Sequence, residues 1–397
     1  MRWRVGGAIL LVLVALGAIN YLRPVPATAA AALLPTTDRV PGTAPALPWP
    51  ATGSAAVGVS GLGFIASSGN EQAIPAASVT KVMTALVALE DKPLKKGDDG
   101  PSLTITDADV QAYQSDLKDQ QSVARVELGE SLTELQLLEG MLIPSANNFA
   151  ETLARWDAGS TDAFVARMNA KAAALHLTHT KFADVSGAAA GSVSTPTDLL
   201  SLGMTAMQND VFAQVVGRAQ ADLPVAGTVI NVNGELGKGG VIGIKTGSGL
   251  NSGANYLYAA TATVDGHKIT LYGCVMGQPT LAIAFSSAHT LIDAMTAVLH
   301  VRRVIARNQA IATFSTPWGD ATDVIAQVDL DLSEWPGMIV RQRLDVKPIV
   351  FDHPLPAGAL VGSEHVALGD YVEDIPVLTA DPMYPPGRVW RLTRLSF

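Results

Sequence analysis

The sequence predicts an α+β protein, in which one sheet is completed by segments far apart in the chain and a small β-rich domain follows. Three observations predict it. Glycine-punctuated or alternating apolar segments, the pattern of strands, stand early at "AAVGVSGLGFIASSG" and much later at "GVIGIKTG" and "ANYLYAATATVDGHKITLYGCVMG". Between them the apolar residues recur with the period of helices. From Val301 onward only short strands and turns such as "TPWGD" and "PLPAG" follow. A chain of 397 residues that is 48% hydrophobic and 16% charged is long and apolar enough for two cores.

In order, Arg2 and Arg4 precede an apolar run from Val5 to Leu22, the charge order of an export segment. Residues 1–22 are therefore read as a signal or signal anchor and the rest of the chain as extracytoplasmic. The run is near the lower limit for spanning a bilayer, and "PATAAAA" offers small residues for cleavage, so the residues leave open whether it is cut or anchors the protein to the membrane. Residues 23–50 carry seven prolines among alanines, which excludes a helix or an inner strand and predicts a linker. The α+β domain is expected over 51–300. In "PAASVTKVMTALVALE", Val79, Val82, Met83, Leu86 and Val87 give a helix with one buried stripe, and Ser78 stands where an N-cap would. Ser131 and Glu134 have the spacing of a capping box opening "LTELQLLEGML", a helix that stops at Pro144. Further helices are expected in "NNFAETLARWDAG", "TDAFVARMNAKAAALHL" and "TPTDLLSLGMTAM". Asp265-Gly266 predicts a hairpin turn, and a last helix runs from about Thr280 to Leu299. Residues 301–397 form the small β-rich domain, and the C-terminal "PPGRVWRLTRLSF" is too short and too weakly amphipathic for a membrane anchor.

Composition excludes several functions. The net charge of -9, with no basic cluster longer than a pair, argues against nucleic acid and against a polybasic membrane patch. With one cysteine, Cys274, no intrachain disulfide forms, and its setting in "KITLYGCVMG" predicts a buried structural thiol. No His/Asp/Glu grouping has zinc spacing, so neither a metal nor another cofactor is expected. A Ser-His-Asp hydrolase lacks its Gly-x-Ser-x-Gly turn, which "GVSGLG" only approximates. His176 and His179 fall at a helix end and His267 in the hairpin turn.

Three polar clusters interrupt apolar surroundings. Ser78 and Lys81 are three apart on one helix, which puts an amine beside a hydroxyl. Ser145 and Asn147 lie just past a helix end in "LIPSANNFAE". Lys245, Thr246 and Gly247 lie on a strand in "GIKTGSG". Each alone has a plain structural reading: an N-cap for Ser78, a helix cap for Ser145, an edge-guarding lysine for Lys245. Ser-x-x-Lys, Ser-x-Asn and Lys-Thr-Gly in that order, on those local structures, match the motif set of penicillin-binding proteins and class A β-lactamases.

With the connecting segments "MLIPSANNFAETLA", "FVARMNAKAAALHLTHTKFADVSG" and "IGIKTGSGLNSGANYLYAATATVDGHKITLYGCVMG", the chain from about Ala55 to His300 resembles the serine-type D-alanyl-D-alanine carboxypeptidases, the low-molecular-weight penicillin-binding proteins. The resemblance implies a β-lactamase/transpeptidase-like fold, an antiparallel sheet flanked by helices with a helical subdomain. It implies Ser78 as acylated nucleophile, Lys81 as its base, Ser145 and Asn147 as proton relay and substrate anchor, and Lys245 with Thr246 as binders of the substrate's terminal carboxylate. The substrate would be a peptidoglycan stem peptide ending in D-alanyl-D-alanine, and β-lactams would inhibit. Two departures from the family pattern touch the rim of the cleft: Ser248-Gly249-Leu250 follows Lys-Thr-Gly, and Ala188-Ala189-Ala190 follows "DVSG".

The chemistry has its own argument. A serine hydroxyl needs a neighbour to take its proton, and a lysine with an ordinary pKa of about 10.4 is no base at neutral pH. Burial and a second ammonium, Lys245, would both favour the neutral amine. The Ser78 N–H at a helix start and the Ser248 N–H on the strand could together hold an oxyanion. Three alternatives stay open: an exported, non-catalytic cell-wall-binding protein of the same fold, a β-lactamase and a D,D-endopeptidase. Between Asn147 and Lys245 the only glutamates are Glu151, expected to face solvent, and Glu235, and neither has the sequence setting of a deacylating glutamate.

Overall fold

A computed structural model describes residues 2–69, 71–249 and 252–394. The described chain forms two units, one from Pro45 to Leu299 and one that joins the first 44 residues to the chain from His300 onward.

The first unit is built on a five-stranded antiparallel sheet in the order Val241–Gly249, Gly253–Val264, His267–Gln278, Ser54–Val59, Gly63–Ser67. The early strands thus complete a sheet whose other half comes nearly two hundred residues later. The Asp265-Gly266 turn closes a tight hairpin, Val264 pairing with His267, with φ of 50° and 84° at its two residues. That is the twist a two-residue hairpin requires, and it explains an aspartate followed by glycine. Adjacent residues of a strand face opposite sides, so Leu257, against Gly203 of helix Pro196–Ala206, and Tyr256, edge-on to Phe285 of helix Leu281–Thr296, place those helices on opposite faces. The sheet is covered on both sides, an α+β arrangement as expected.

Helix Lys81–Asp91 is buried at every residue from Lys81 to Leu89, where the periodicity had implied a single buried stripe. The difference arises because Glu134–Leu142, Asn147–Ala158, Thr161–Ala174 and Pro196–Ala206 all pack on it. Small residues on its remaining faces, Thr84, Ala85 and Ala88, let those neighbours approach. The capping box also differs from the expected pair. Ser131 lies in the short strand Ser131–Thr133, and Thr133 with Gln136 make the reciprocal bonds, the Gln136 N–H donating to Thr133 Oγ1 at 3.2 Å. Glu134 is buried instead, and burial pushes its carboxyl up to about 7.

In the second unit a seven-stranded sheet runs Ala31–Ala32, Ala310–Ser315, Ala321–Ala326, Tyr371–Thr379, Leu360–Leu368, Ile339–Val346, Thr37–Arg39. Residues 23–50, expected as a linker, therefore supply both edge strands of this sheet. The prolines do not prevent it, because Pro24, Pro26 and Pro35 flank strands of two or three residues at sheet edges, where no inner ladder needs their missing N–H. Helix Arg2–Leu22 lies against the short C-terminal helix Arg388–Thr393, and the Arg394 guanidinium donates to the carbonyls of Asn20, Arg23 and Pro24 at its end. Among the described residues no helix is long and apolar enough to cross a membrane.

Candidate active site

The site begins at a break in regularity. Ala77, with φ of 50°, turns the chain into the single 3-10 turn Ala77–Thr80, and the α-helix proper starts only at Lys81. A non-glycine residue in that region is strained and is held by its surroundings. Ser78 consequently does not cap the helix. Its side chain is left for other work, partly accessible at the floor of a cleft of about 590 Å³.

Two glycines hold this turn from either side. A Cβ on Gly247 would lie 2.9 Å from the Ala76 carbonyl oxygen and 3.1 Å from the Ser78 nitrogen, so strand Val241–Gly249 approaches the serine at backbone distance only because residue 247 has no side chain. A Cβ on Gly187 would meet the Ala77 carbonyl at 1.8 Å. Asn255 ties the sheet to the same turn, its Nδ2 donating to the Pro75 carbonyl at 3.0 Å while its Oδ1 accepts from the Gly277 N–H at 2.9 Å.

Lys81 is completely buried, and its three ammonium donors find three acceptors: Ser78 Oγ at 3.0 Å, Asn147 Oδ1 at 2.7 Å and the Ser186 carbonyl at 2.9 Å. Burial lowers its pKa to about 7, against the opposing pull of the Asp184 and Asp116 carboxylates. Lys245 is also buried. Desolvation, and then the charge of Lys81, push it well below the ordinary lysine value, and its Nζ donates to the Thr246 carbonyl at 3.1 Å. Two buried amines of like charge are an arrangement that gains from an anion.

Ser145, at φ of 66°, is buried, and its hydroxyl has no hydrogen-bond partner among the described residues. Asn147 starts helix Asn147–Ala158 and faces Lys81 on one side and Gln121, at 3.3 Å, on the other. The cleft is lined by Ser78, Asn147 and Ser248 of the expected residues, while Lys245 and Thr246 lie below its surface. The residues of the unusual rim, Ala188 to Ala190 and Ser248-Gly249, line it too; Leu250 lies outside the described residues.

Several lining and supporting groups carried no sequence signal. Asp119, Gln120, Gln121 and Ser122 form one wall from a polar run that reads as helix surface, and Ser186 contributes only its carbonyl. Burial also raises Asp116, next to this wall, to about 6. Neither Glu151 nor Glu235 lines the cleft. Glu151 is half-buried and paired with Arg155 at 3.1 Å, not simply solvent-facing as expected, and Glu235 pairs with His289 and Lys238. Cys274 is buried, and burial drives its thiol far above the ordinary value, which leaves it an inert core residue. No group of three or more His, Cys, Asp or Glu side chains able to hold a metal ion occurs among the described residues.

Comparison with known proteins gives a consistent picture. The family model described as D-alanyl-D-alanine carboxypeptidase matches residues 62–280. The D-alanyl-D-alanine carboxypeptidase DacB2 of Mycobacterium tuberculosis is 35% identical over 231 residues, covering 55% of this chain and 73% of its own. DacC of Escherichia coli is 27% identical over 363 residues, 84% of this chain and 86% of its own. Among solved structures, the Streptomyces K15 DD-transpeptidase superposes with a TM-score of 0.56 at 28% identity, covering 64% of this chain and all of its own.

Proposed function

The chain belongs to the D-alanyl-D-alanine carboxypeptidase family, and we propose that it removes the terminal D-alanine of peptidoglycan stem peptides through an acyl-enzyme on Ser78. One observation carries the assignment of residues: the Lys81 amine stands 3.0 Å from Ser78 Oγ, wholly desolvated, with its pKa brought to about 7. At neutral pH a sizeable fraction of such an amine is unprotonated and able to accept the serine proton.

In the proposed reaction the substrate's free carboxylate is drawn to Lys245 and Thr246, which explains why a second buried amine is tolerated beside the first. Ser78 Oγ attacks the penultimate D-alanine carbonyl as its proton passes to Lys81. The Ser78 and Ser248 N–H groups stabilise the oxyanion, an effect worth orders of magnitude in rate. As the peptide C–N bond breaks, the departing D-alanine nitrogen takes a proton relayed by Ser145, whose hydroxyl has no other partner among the described residues. Water, deprotonated by the same Lys81, then releases the shortened peptide. A β-lactam ring opens by the same attack. Its adduct is expected to persist, because the two glutamates of this region are engaged in ion pairs and neither lines the cleft where a deacylating water would have to stand.

The proposed place of action is the cell-wall side of the membrane, reached through the N-terminal helix Arg2–Leu22. N-terminal sequencing of the exported protein distinguishes a removed leader from a retained anchor. The reaction itself is tested by treating the full chain with fluorescent penicillin and mapping the adduct by mass, with Ser78→Ala alongside. A slowly lost adduct on Ser78 is expected; rapid turnover of the β-lactam would favour a β-lactamase, and no adduct on folded protein would favour a non-catalytic binding protein.

A further inference from the structure

Beneath the Lys81 ammonium lies a turn, residues 184–188, whose shape depends on one carboxylate. Asp184 Oδ2 accepts from the Ser186 N–H at 3.2 Å, from Ser186 Oγ at 2.8 Å and from the Ala188 N–H at 2.8 Å. Its other oxygen accepts from the Ser192 hydroxyl. Ser192 Oγ accepts in turn from the N–H groups of Ala183 at 3.0 Å and Asp184 at 3.3 Å, which closes the base of the loop. Thr84 Oγ1, on the buried helix, donates to the Val185 carbonyl at 2.6 Å. Held in this way, the Ser186 carbonyl is aimed at Lys81 Nζ, and Gly187 is pressed against the residue that precedes Ser78.

We propose that Asp184 is a positioning residue of the acylation step, fixing through the Ser186 carbonyl where the Lys81 amine stands and keeping a negative charge behind it. The proposal rests on the reading of Ser78 as nucleophile and Lys81 as base. Asp184 touches neither substrate nor the reacting atoms. It is absent from the cleft lining and from the three polar clusters, and lies instead in the connecting segment "FADVSG".

The physical need is clear from the surroundings of Lys81. Helix Lys81–Asp91 is buried from every side, so desolvation alone would make the amine a very weak base, protonated too rarely to drive proton transfer. The charged groups that face it are Asp184 and Asp116, which favour the ammonium, and Lys245, which opposes it. Asp184 is the larger of the two favourable influences and, unlike Asp116, is bonded into the turn that also supplies an acceptor to the ammonium. Geometry and charge therefore come from the same side chain.

One variant that removes the charge and one that keeps it while releasing an anchor separate the two contributions. The second-order rate of acylation by fluorescent penicillin is measured on the full chain from about pH 5 to about pH 9 for wild type, Asp184→Asn and Ser192→Ala. For Asp184→Asn the plateau is expected to fall about tenfold, since the amide matches the carboxylate in size but its nitrogen cannot accept the bonds one oxygen holds, and a misaimed carbonyl displaces the base. Its acid limb is expected to move to lower pH by roughly half a unit or more, because an ammonium that loses a neighbouring anion gives up its proton more readily. Ser192→Ala keeps the charge and releases one of its anchors, so its rate falls several-fold with the limb in place. A wild-type profile for Asp184→Asn, or a lowered plateau with an unmoved limb, overturns the proposal. Should Asp184→Asn fail to fold, a wild-type rate for Ser192→Ala overturns it. An unlabelled wild-type Ser78 would instead remove the reading beneath it, a result separate from either.

Discussion

Lys81 Nζ and Asn147 Oδ1 lie 2.7 Å apart, the shortest of the three bonds that hold the ammonium, across 66 positions of sequence. The amine is thereby aimed from a side its own helix cannot supply. Asn147→Ala is expected to leave a buried ammonium donor unsatisfied, which costs about 1–3 kcal/mol in unfolding free energy. It should slow acylation about ten- to a hundredfold, since the base is no longer fixed opposite Ser78 Oγ. Denaturant unfolding together with penicillin labelling checks both; full labelling speed in the variant would show that the bond orients nothing.

The pH dependence has a definite sign. Lys81 must be neutral to accept the serine proton, and its pKa is lowered from 10.5 to about 7. Acylation should therefore fall about tenfold per pH unit below that value and flatten above it. Lys81→Ala should lose at least about a thousandfold at pH 7 and lose the acid limb with it. The effect on stability runs the other way from a salt bridge: a base with a depressed folded-state pKa costs stability below that pKa, and the cost disappears as pH rises toward 10.5.

Ser145 offers a clean separation of stability from turnover. Its hydroxyl is buried without a partner among the described residues, so Ser145→Ala breaks no hydrogen bond and removes a desolvated polar group. Thermal stability should be unchanged or slightly higher. Release of D-alanine from a D-alanyl-D-alanine peptide should drop about a hundredfold or more if the hydroxyl relays the proton. Equal loss of stability and activity would make Ser145 a structural residue.

Gly247→Ala tests the backbone approach. The added methyl would meet the Ala76 carbonyl and the Ser78 nitrogen at about 3 Å, so strand and turn must separate by a few tenths of an ångström. Acylation is expected to fall about tenfold or more, with a stability loss of about 1–2 kcal/mol. Wild-type kinetics would mean that the oxyanion donors tolerate the displacement.

Glu364, on strand Leu360–Leu368 of the second unit, is buried with one oxygen that has no hydrogen-bond partner among the described residues, and burial raises its carboxyl to about 7. An acid with a raised folded-state pKa favours folding most when protonated, below its unfolded value of about 4.5, and that advantage is lost as pH rises through about 7. Glu364→Gln should raise the melting temperature at pH 8, by an amount corresponding to about 1–3 kcal/mol, and change it little at pH 4.5. A gain that does not depend on pH would rule out the buried charge as its cause.

The sequence by itself determined the family and most of the elements, and it pointed to the residues proposed to do the work. Period-two segments at both ends of a helical stretch required a shared sheet, Asp265-Gly266 required its hairpin, and the order Ser78-Lys81, Ser145-Asn147, Lys245-Thr246-Gly247 pointed to acyl transfer. These are local signals, carried by backbone preference and short spacing, and a linear chain displays them. Tertiary structure decided what depends on groups meeting from distant positions. Whether Lys81 is a base follows from complete burial together with the carboxylates of Asp116 and Asp184, and burial of all faces of a helix has no periodic signature. The Ser186 carbonyl and the Asn255 amide act through the backbone or from within a strand, where any polar residue reads alike. The prolines of the N-terminal segment predict a linker, and only pairing with strands some three hundred residues away makes it the edge of a sheet, because edge pairing asks for a free ladder and little of the residues that fill it.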